Sequence, residues 1–211
     1  MGGPALVRRR LTFAAVRSKV RRRGAIDKAA AVPRKRPSLL LILLALLLSP
    51  AAAFAQQDEA AVKADFIPKF ARYVQWPANT HPASNQPFQL CVIGHDPFGE
   101  VLDRAATAEL IEGHTILVRR METPDGAEGC HLAFVQGSAP EETARYLLAM
   151  RALPVLTITD GRAGPQRGMI HFTVSTGRVR FFIDEAAAAE HGLSISSRLL
   201  ALALGVRQRR S

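Results

Sequence analysis

The sequence has no Gly-x-Ser-x-Gly elbow, no Walker phosphate loop and no paired carboxylates on a common predicted face. The usual signatures of nucleophilic, nucleotide-phosphate and two-carboxylate chemistry are therefore missing, and the chain reads as a non-enzyme without a cofactor. Cysteine is scarce: Cys91 and Cys130 are the whole complement, with no Cys-x-x-Cys and no clustered histidines, a pattern that argues against zinc or any other metal. No internal repeat marks a second domain. Acid is almost absent from the first 55 residues, which hold 12 of the 28 Lys and Arg but only Asp27 among the acids.

What is present begins with a leader. Leu39 to Leu48 is uninterrupted hydrocarbon, preceded by Arg34-Lys35-Arg36 and followed by Ala53-Phe54-Ala55, a small-x-small pattern. That order of charge, hydrocarbon and small residues is a secretory signal peptide. The hydrocarbon is too short for a span, which needs roughly 20 apolar residues. Cleavage after Ala55 is expected, with an uncleaved anchor as the alternative. Arg8-Arg9-Arg10-Leu11-Thr12-Phe13 is similar to a twin-arginine signal but stands too far from the hydrocarbon. Subtracting the leader's 12 bases and one acid from 28 and 18 leaves 16 against 17. The basic pI of about 10.7 thus belongs to the leader, and nucleic acid is not an expected partner.

Residues 1–55 are accordingly assigned to leader and signal peptide, and residues 56–211 to one domain large enough to bury an ordinary core. Export out of the cytoplasm places both cysteines in an oxidising compartment, where an even count favours a disulfide. Closing a loop of 130 − 91 = 39 positions would stabilise the fold by roughly 4 kcal/mol in the chain-entropy model.

Along this domain, Val62, Phe66, Phe70 and Tyr73/Val74 draw an apolar stripe that predicts a helix from Glu59 to Trp76, kinked or started late by Pro68. Trp76, Phe66 and Phe70 at helical spacing read as core rather than as a docking surface. A loop follows from Ala78 to Pro87. Strands are expected at 88–94, 115–118, 130–135 and 154–159, and helices at 98–106, with Asp96 as N-cap, and at 140–151. Near-continuous apolar strands alternating with helices imply an α/β fold, a three-layer sandwich with a mostly parallel sheet. A C-terminal antiparallel hairpin, 169–174 and 178–183, is expected to pair Phe172 with Val179 and His171 with Arg180. A short helix from Asp184 and a longer, largely apolar one over 194–204 complete the chain.

Two places could take a ligand. Gly94 and His95 stand at a strand's carboxyl end beside a helix N-terminus, where amides favour anions, and Asp160 ends another strand on the same edge. His171, Arg178 and Arg180 share one hairpin face and would suit a small anionic ligand, because arginine presents a fork of donors. Against these stand blander readings, a capping Asp96 and a solvated polar face.

Taken together, Val62-Lys63-Ala64-Asp65-Phe66, Phe70 through Trp76-Pro77, Cys91-Val92-Ile93-Gly94, Asp96-Pro97-Phe98-Gly99, Gly129-Cys130-His131, Pro154-Val155-Leu156-Thr157, Gly168-Met169-Ile170 and Gly192 to Leu200 carry a family resemblance. From about Ala60 to Leu204 the chain resembles the YfiR family of small periplasmic repressors. The resemblance implies an α/β domain that forms homodimers and holds an inner-membrane diguanylate cyclase inactive through its periplasmic sensory part. Lower cyclic di-GMP and less biofilm would follow. It also implies a disulfide at Cys91 and Cys130. Pro68 departs from the family's N-terminal helix. A second cysteine pair found in some members is absent, which argues for a structural bridge rather than a redox switch.

Overall fold

The computed structural model describes residues 50–209, with side chains from Glu59 onward. The hydrocarbon run at 39–48 and the arginines at 8–10 lie outside the described residues. Helix α1 (Pro50–Phe70) leads through a 3-10 turn (Ala71–Tyr73) to β1 (Val74–Gln75) and then β2 (Phe88–Gly94). Next come α2 (Glu100–Thr107), β3 (Leu110–Ile111), β4 (His114–Met121), β5 (Leu132–Gln136), α3 (Pro140–Ala149) and β6 (Leu156–Asp160). The hairpin β7 (Ile170–Ser175) and β8 (Arg178–Asp184) is followed by α4 (Glu185–Glu190), β9 (Ser194–Ile195), α5 (Ser197–Leu200) and β10 (Gly205–Arg207). Among the described residues no helix is long and apolar enough to cross a membrane.

Eight strands form one sheet in the order β10-β8-β7-β6-β5-β2-β4-β3, and β1 pairs separately with β9. The five strands from β7 to β4 run parallel, while β8 and β3 are antiparallel to their inner neighbours. The expected α/β class with its mostly parallel sheet and C-terminal hairpin is what is found. The chain moves outward from β2 to β4 in one direction and from β5 to β7 in the other, so the order reverses between β2 and β5.

Side chains alternate across the strands, and the two faces differ. Leu90, Val92, Leu132, Phe134, Leu156, Ile158, Ile170, Phe172, Phe181 and Ile183 form one continuous apolar face under α1, α2, α4 and α5. Phe70 anchors α1 there, with ring centroids 5.8 Å from Phe172 and 5.2 Å from Phe181. Phe98 meets Phe134 at 4.7 Å before α2. The opposite face holds a smaller cluster around Cys91, Ile93, Ala133, Val135 and Met150 under α3. The same face of β6 to β8 carries Thr157, Thr159, His171, Thr173, Arg180 and Phe182; no described helix lies over it, and Thr157, Thr159 and His171 are buried instead against the chain around Gly161 and Gly168, while Arg180 is exposed.

Several local expectations are corrected. Pro68 neither delays nor splits α1; it is buried two residues before the helix ends, and its missing amide costs one bond, to the Ala64 carbonyl in the turn before it. Tyr73 and Val74 are beyond the helix. The stripe also lies elsewhere: Val62 is 44 % exposed, while Ala64, Ile67, Phe70 and Lys63 face inward. Helix α2 begins at Glu100 with Gly99 as N-cap, so Asp96 caps the preceding turn by accepting from the Phe98 and Gly99 amides (2.8 and 3.2 Å). The long C-terminal helix expected over 194–204 is replaced by β9 and the single turn of α5, with β10 following, and Leu202 and Leu204 are exposed.

The hairpin register is corrected by two residues. Phe172 pairs with Phe181, Thr173 with Arg180 and Ser175 with Arg178, and His171 lies opposite Phe182. The turn is Thr176-Gly177 alone, with both φ values positive (50° and 72°), the two-residue geometry that matches strand twist. Because the shift is even, the face assignments are unchanged.

Candidate functional site

Each place singled out in the sequence has a definite structural setting. At the crossover between β2 and β5, Gly94 and His95 line a cleft of about 470 Å³ with Gln136, Ser138, Glu142 and Tyr146. Gly94 has φ +82°, and a Cβ there would fall 2.2 Å from the Gln136 carbonyl, so only glycine lets the two strand ends approach. Open parallel sheets place ligands at such reversals. Here the α3 entrance is already served: Glu142 accepts from the Ser138 amide (2.7 Å) and hydroxyl (2.6 Å), which hold its carboxyl below the usual range. The Tyr146 hydroxyl donates to the Glu122 carbonyl at 3.0 Å.

The α2 entrance is served as well. Arg120 donates through Nε to Asp96 (2.8 Å) and through Nη1 and Nη2 to Asp103 (3.0 and 2.7 Å), and Nη2 also reaches the Gly99 carbonyl (2.9 Å). Those bonds raise the arginine's pKa further and lower that of Asp103. The sequence reading missed Arg120, because its partners lie on the preceding loop and helix and only the β2–α2–β4 crossover brings them together.

Asp160 ends β6 on the same edge but does not line the Gly94 cleft. It is 7 % exposed and accepts from Lys63 Nζ at 2.5 Å, while Lys63, 2 % exposed, also donates to Glu59 at 2.5 Å. Arg162 closes the group through Nε and Nη2 to Glu59 (3.1 and 2.7 Å), and its amide donates to Asp160 (3.0 Å). Two acids and two bases thus neutralise one another and fasten α1 to the sheet.

His171, Arg178 and Arg180 share one sheet face but form no single site. The arginines are exposed toward the hairpin tip, whereas His171 is 5 % exposed. Its Nδ1 lies 2.8 Å from Thr159 Oγ1, and burial, with Arg167 nearby, holds its pKa below the usual value. His171 instead lines a groove of about 490 Å³ between the β8–β10 edge and residues 167–168. Arg167 lies with Cζ 4.7 Å from the centre of the Phe182 ring. On the far wall Arg207 pairs with Asp184 at 2.5 Å.

Cys91 and Cys130 form a disulfide with a Cα–Cα distance of 5.9 Å, joining β2 to the entrance of β5 inside the smaller apolar cluster. Beside it, at the amino ends of the strands, His131 accepts from the Gln89 amide at 3.0 Å and packs on Phe88 (4.7 Å). Burial lowers its pKa, and His81 and His114, close by, add to that. Trp76 donates to the His131 carbonyl at 3.2 Å, which makes it part of the packing.

The geometry defines the class: a small α/β domain, cross-linked once, whose polar groups at the strand ends bond mainly to one another. The chain belongs to the YfiR/HmsC-like family, which matches residues 60–204. That family is one of periplasmic, regulatory, non-catalytic proteins. No curated protein is a significant match to the chain.

Proposed function

We propose that this chain is an exported, non-enzymatic repressor that binds the periplasmic sensory part of an inner-membrane diguanylate cyclase. It thereby lowers cyclic di-GMP signalling and biofilm formation. The single observation that carries the reading is the family match across residues 60–204, nearly the whole folded domain. Support comes from the leader, whose charge and hydrocarbon order suits export, and from Cys91–Cys130, a bridge suited to an oxidising compartment. Cleavage after Ala55 would shorten α1 from its start at Pro50 and leave the packed part from Glu59 onward. The domain is further proposed to act as a homodimer. Exposed Leu110 and Leu117 at the β3–β4 edge supply apolar surface for such a contact.

Deleting the gene in a cell that expresses the candidate cyclase should raise cyclic di-GMP and biofilm. Unchanged levels, with the cyclase present, would remove the proposal.

The His171 groove favours a second reading, a periplasmic small-molecule receptor that informs a different membrane sensor. Under it, a ligand would change the affinity of the domain for its membrane partner.

A further inference from the structure

Between β1 and β2 the chain crosses the amino ends of the strands as a loop, residues 77–86, that belongs to no strand or helix. Its backbone bonds close on the loop itself: the Thr80 amide donates to the Pro77 carbonyl (2.9 Å) and the Gln86 amide to the Ala83 carbonyl (2.8 Å). Among the described residues, its hydrogen bonds to the rest of the domain run through histidine rings. His81 Nε2 meets the Glu112 carboxylate of the β3–β4 turn at 2.8 Å, and His114 Nδ1 on β4 donates to the Gln86 carbonyl at 2.7 Å. His131, just before β5, faces the Thr80 carbonyl. Three of the chain's six histidines thus gather at one loop. The His81 and His114 rings lie 5.6 Å apart, and the buried Phe88 packs against His81, His114 and His131 at 5.5, 5.8 and 4.7 Å.

A proton acts differently on the three. His81 faces oxygens on both sides, the Pro82 carbonyl (3.2 Å) and Glu112, and His114 faces a carbonyl, so a charged ring keeps these contacts. His131 is the exception. Its Nδ1 accepts from the Gln89 amide at 3.0 Å, so the neutral ring carries its hydrogen on Nε2, the nitrogen left for Thr80. A further proton would stand on Nδ1 and face the Gln89 N–H, donor against donor. It would also charge a ring that is 8 % exposed and packed between Phe88 and Trp76. The charged groups that face this ring are His81 from the loop and His114 from β4, both opposing its protonation, with Glu112 beyond His81. The other neighbours, Trp76, Phe88, the Gln89 amide and the Cys91–Cys130 bridge, do not titrate in this range. His131 therefore takes a proton by leaving the Gln89 amide, and the innermost tie of the loop goes with it.

We propose that residues 77–86 form an acid-released strap over Trp76 and Phe88, latched by neutral His131. Above about pH 6.5 the strap is closed. Below it, the open form places His131 in water and gains the proton that the closed form refuses. Each further unit of pH then favours the open form by about 10-fold, until the closed ring itself is protonated. The inference stands apart from the repressor reading, because it concerns how this end of the domain answers acid and not which membrane protein it restrains.

The test uses the protein recovered from the exported fraction with its disulfide intact, titrated from neutral pH to about pH 4.5, which spans the histidine range. Trp76 is the only tryptophan, so its emission reports the strap directly. Nitrogen-15 NMR reports the His131 ring, and far-ultraviolet circular dichroism reports the fold. Expected is a red shift of Trp76 emission in step with protonation of His131, with the circular dichroism unchanged. His131→Asn keeps an acceptor for the Gln89 amide without titrating and should abolish the shift. Glu112→Gln, at an exposed side chain, removes the carboxylate that holds His81 and should move the midpoint to higher pH. This second variant decides the matter even if His131→Asn does not fold. Constant Trp76 emission over the range, a shift that persists in His131→Asn, a shift seen only with global unfolding, or an unmoved midpoint in Glu112→Gln would each overturn the proposal. A deletion that leaves cyclic di-GMP unchanged would not touch it.

Discussion

The two faces of the sheet solve the same problem differently. One is a continuous apolar surface sealed by four helices and a cluster of phenylalanines around Phe70. The other is apolar only beneath α3, is cross-linked there by Cys91–Cys130, and turns polar across β6 to β8. Burial, with the Lys63 charge cluster at its rim, holds the first face together, whereas a covalent bridge and a small cluster hold half of the second. On the rest of the second face buried Thr157, Thr159 and His171 give way to exposed Arg178 and Arg180 at the hairpin tip. Stability should therefore concentrate on the first face and ligand or partner sensitivity on the second.

The strongest way to break this comparison is at Phe70. Phe70→Ala removes a ring that is 2 % exposed, and a loss of about 3–5 kcal/mol is expected by chemical denaturation. An unchanged melting curve would show that the helical face is not the stability centre. A cut of similar size is expected at the rim of that face: Lys63→Met leaves Asp160 buried without its ammonium and should cost about 3–5 kcal/mol. The double variant Lys63→Met with Asp160→Leu should recover part of it, because both charges are then gone. If the double variant is no better than the single one, the charge pair is not the cause.

On the second face, the Cys91→Ala/Cys130→Ala variant should lose about 2–4 kcal/mol, since a closed loop of 39 positions restrains the unfolded chain. A loss larger than that measured for Phe70→Ala would reverse the contrast between the faces. A smaller effect concerns pH. Burial lowers the folded pKa values of His131 and His171 below their usual 6.5, so above that value both states are neutral and the stability is complete. As pH falls below 6.5 toward the folded pKa values, the unfolded chain takes up protons first and stability declines. His131→Asn keeps an acceptor for the Gln89 amide and should flatten that decline between neutral pH and pH 5, measured by melting temperature. A decline of the same slope would assign it elsewhere. Smallest of all, Arg180→Ala, on the exposed hairpin tip, should change stability by less than about 0.5 kcal/mol. A larger loss would show that the polar face is structural after all.

How much of this was legible in the sequence depended on the range of the interactions. The β2, β5 and β6 runs are apolar on both faces, and the pattern itself announces central parallel strands. The hairpin faces were equally plain, but the partners were not. Register hung on whether Ser175 joined the strand, and only the left-handed pair Thr176-Gly177 decides that. The α1 stripe was placed one position away because Lys63 looks like a surface residue until Asp160 and Glu59, distant and near in sequence, are brought to it. The Ser194–Leu204 segment carries enough leucine for a helix, yet its first two residues pair as β9 with β1 and the residues just after it pair as β10 with β8, which leaves only a short helix between, and both pairings are non-local. The site followed the same rule: Gly94 and His171 could be picked out singly, while the free Arg167 over Phe182 and the clamp at Arg120 exist only after folding.

The central claim is that the domain acts after export on a membrane cyclase. It is tested most directly by complementing a deletion strain with two versions of the chain, one complete and one lacking residues 1–55, while cyclic di-GMP is measured. The account predicts that only the exported version, with Cys91 and Cys130 joined, returns cyclic di-GMP to the low level. Equal repression by the leaderless protein in the cytosol, or no repression by either, would contradict it.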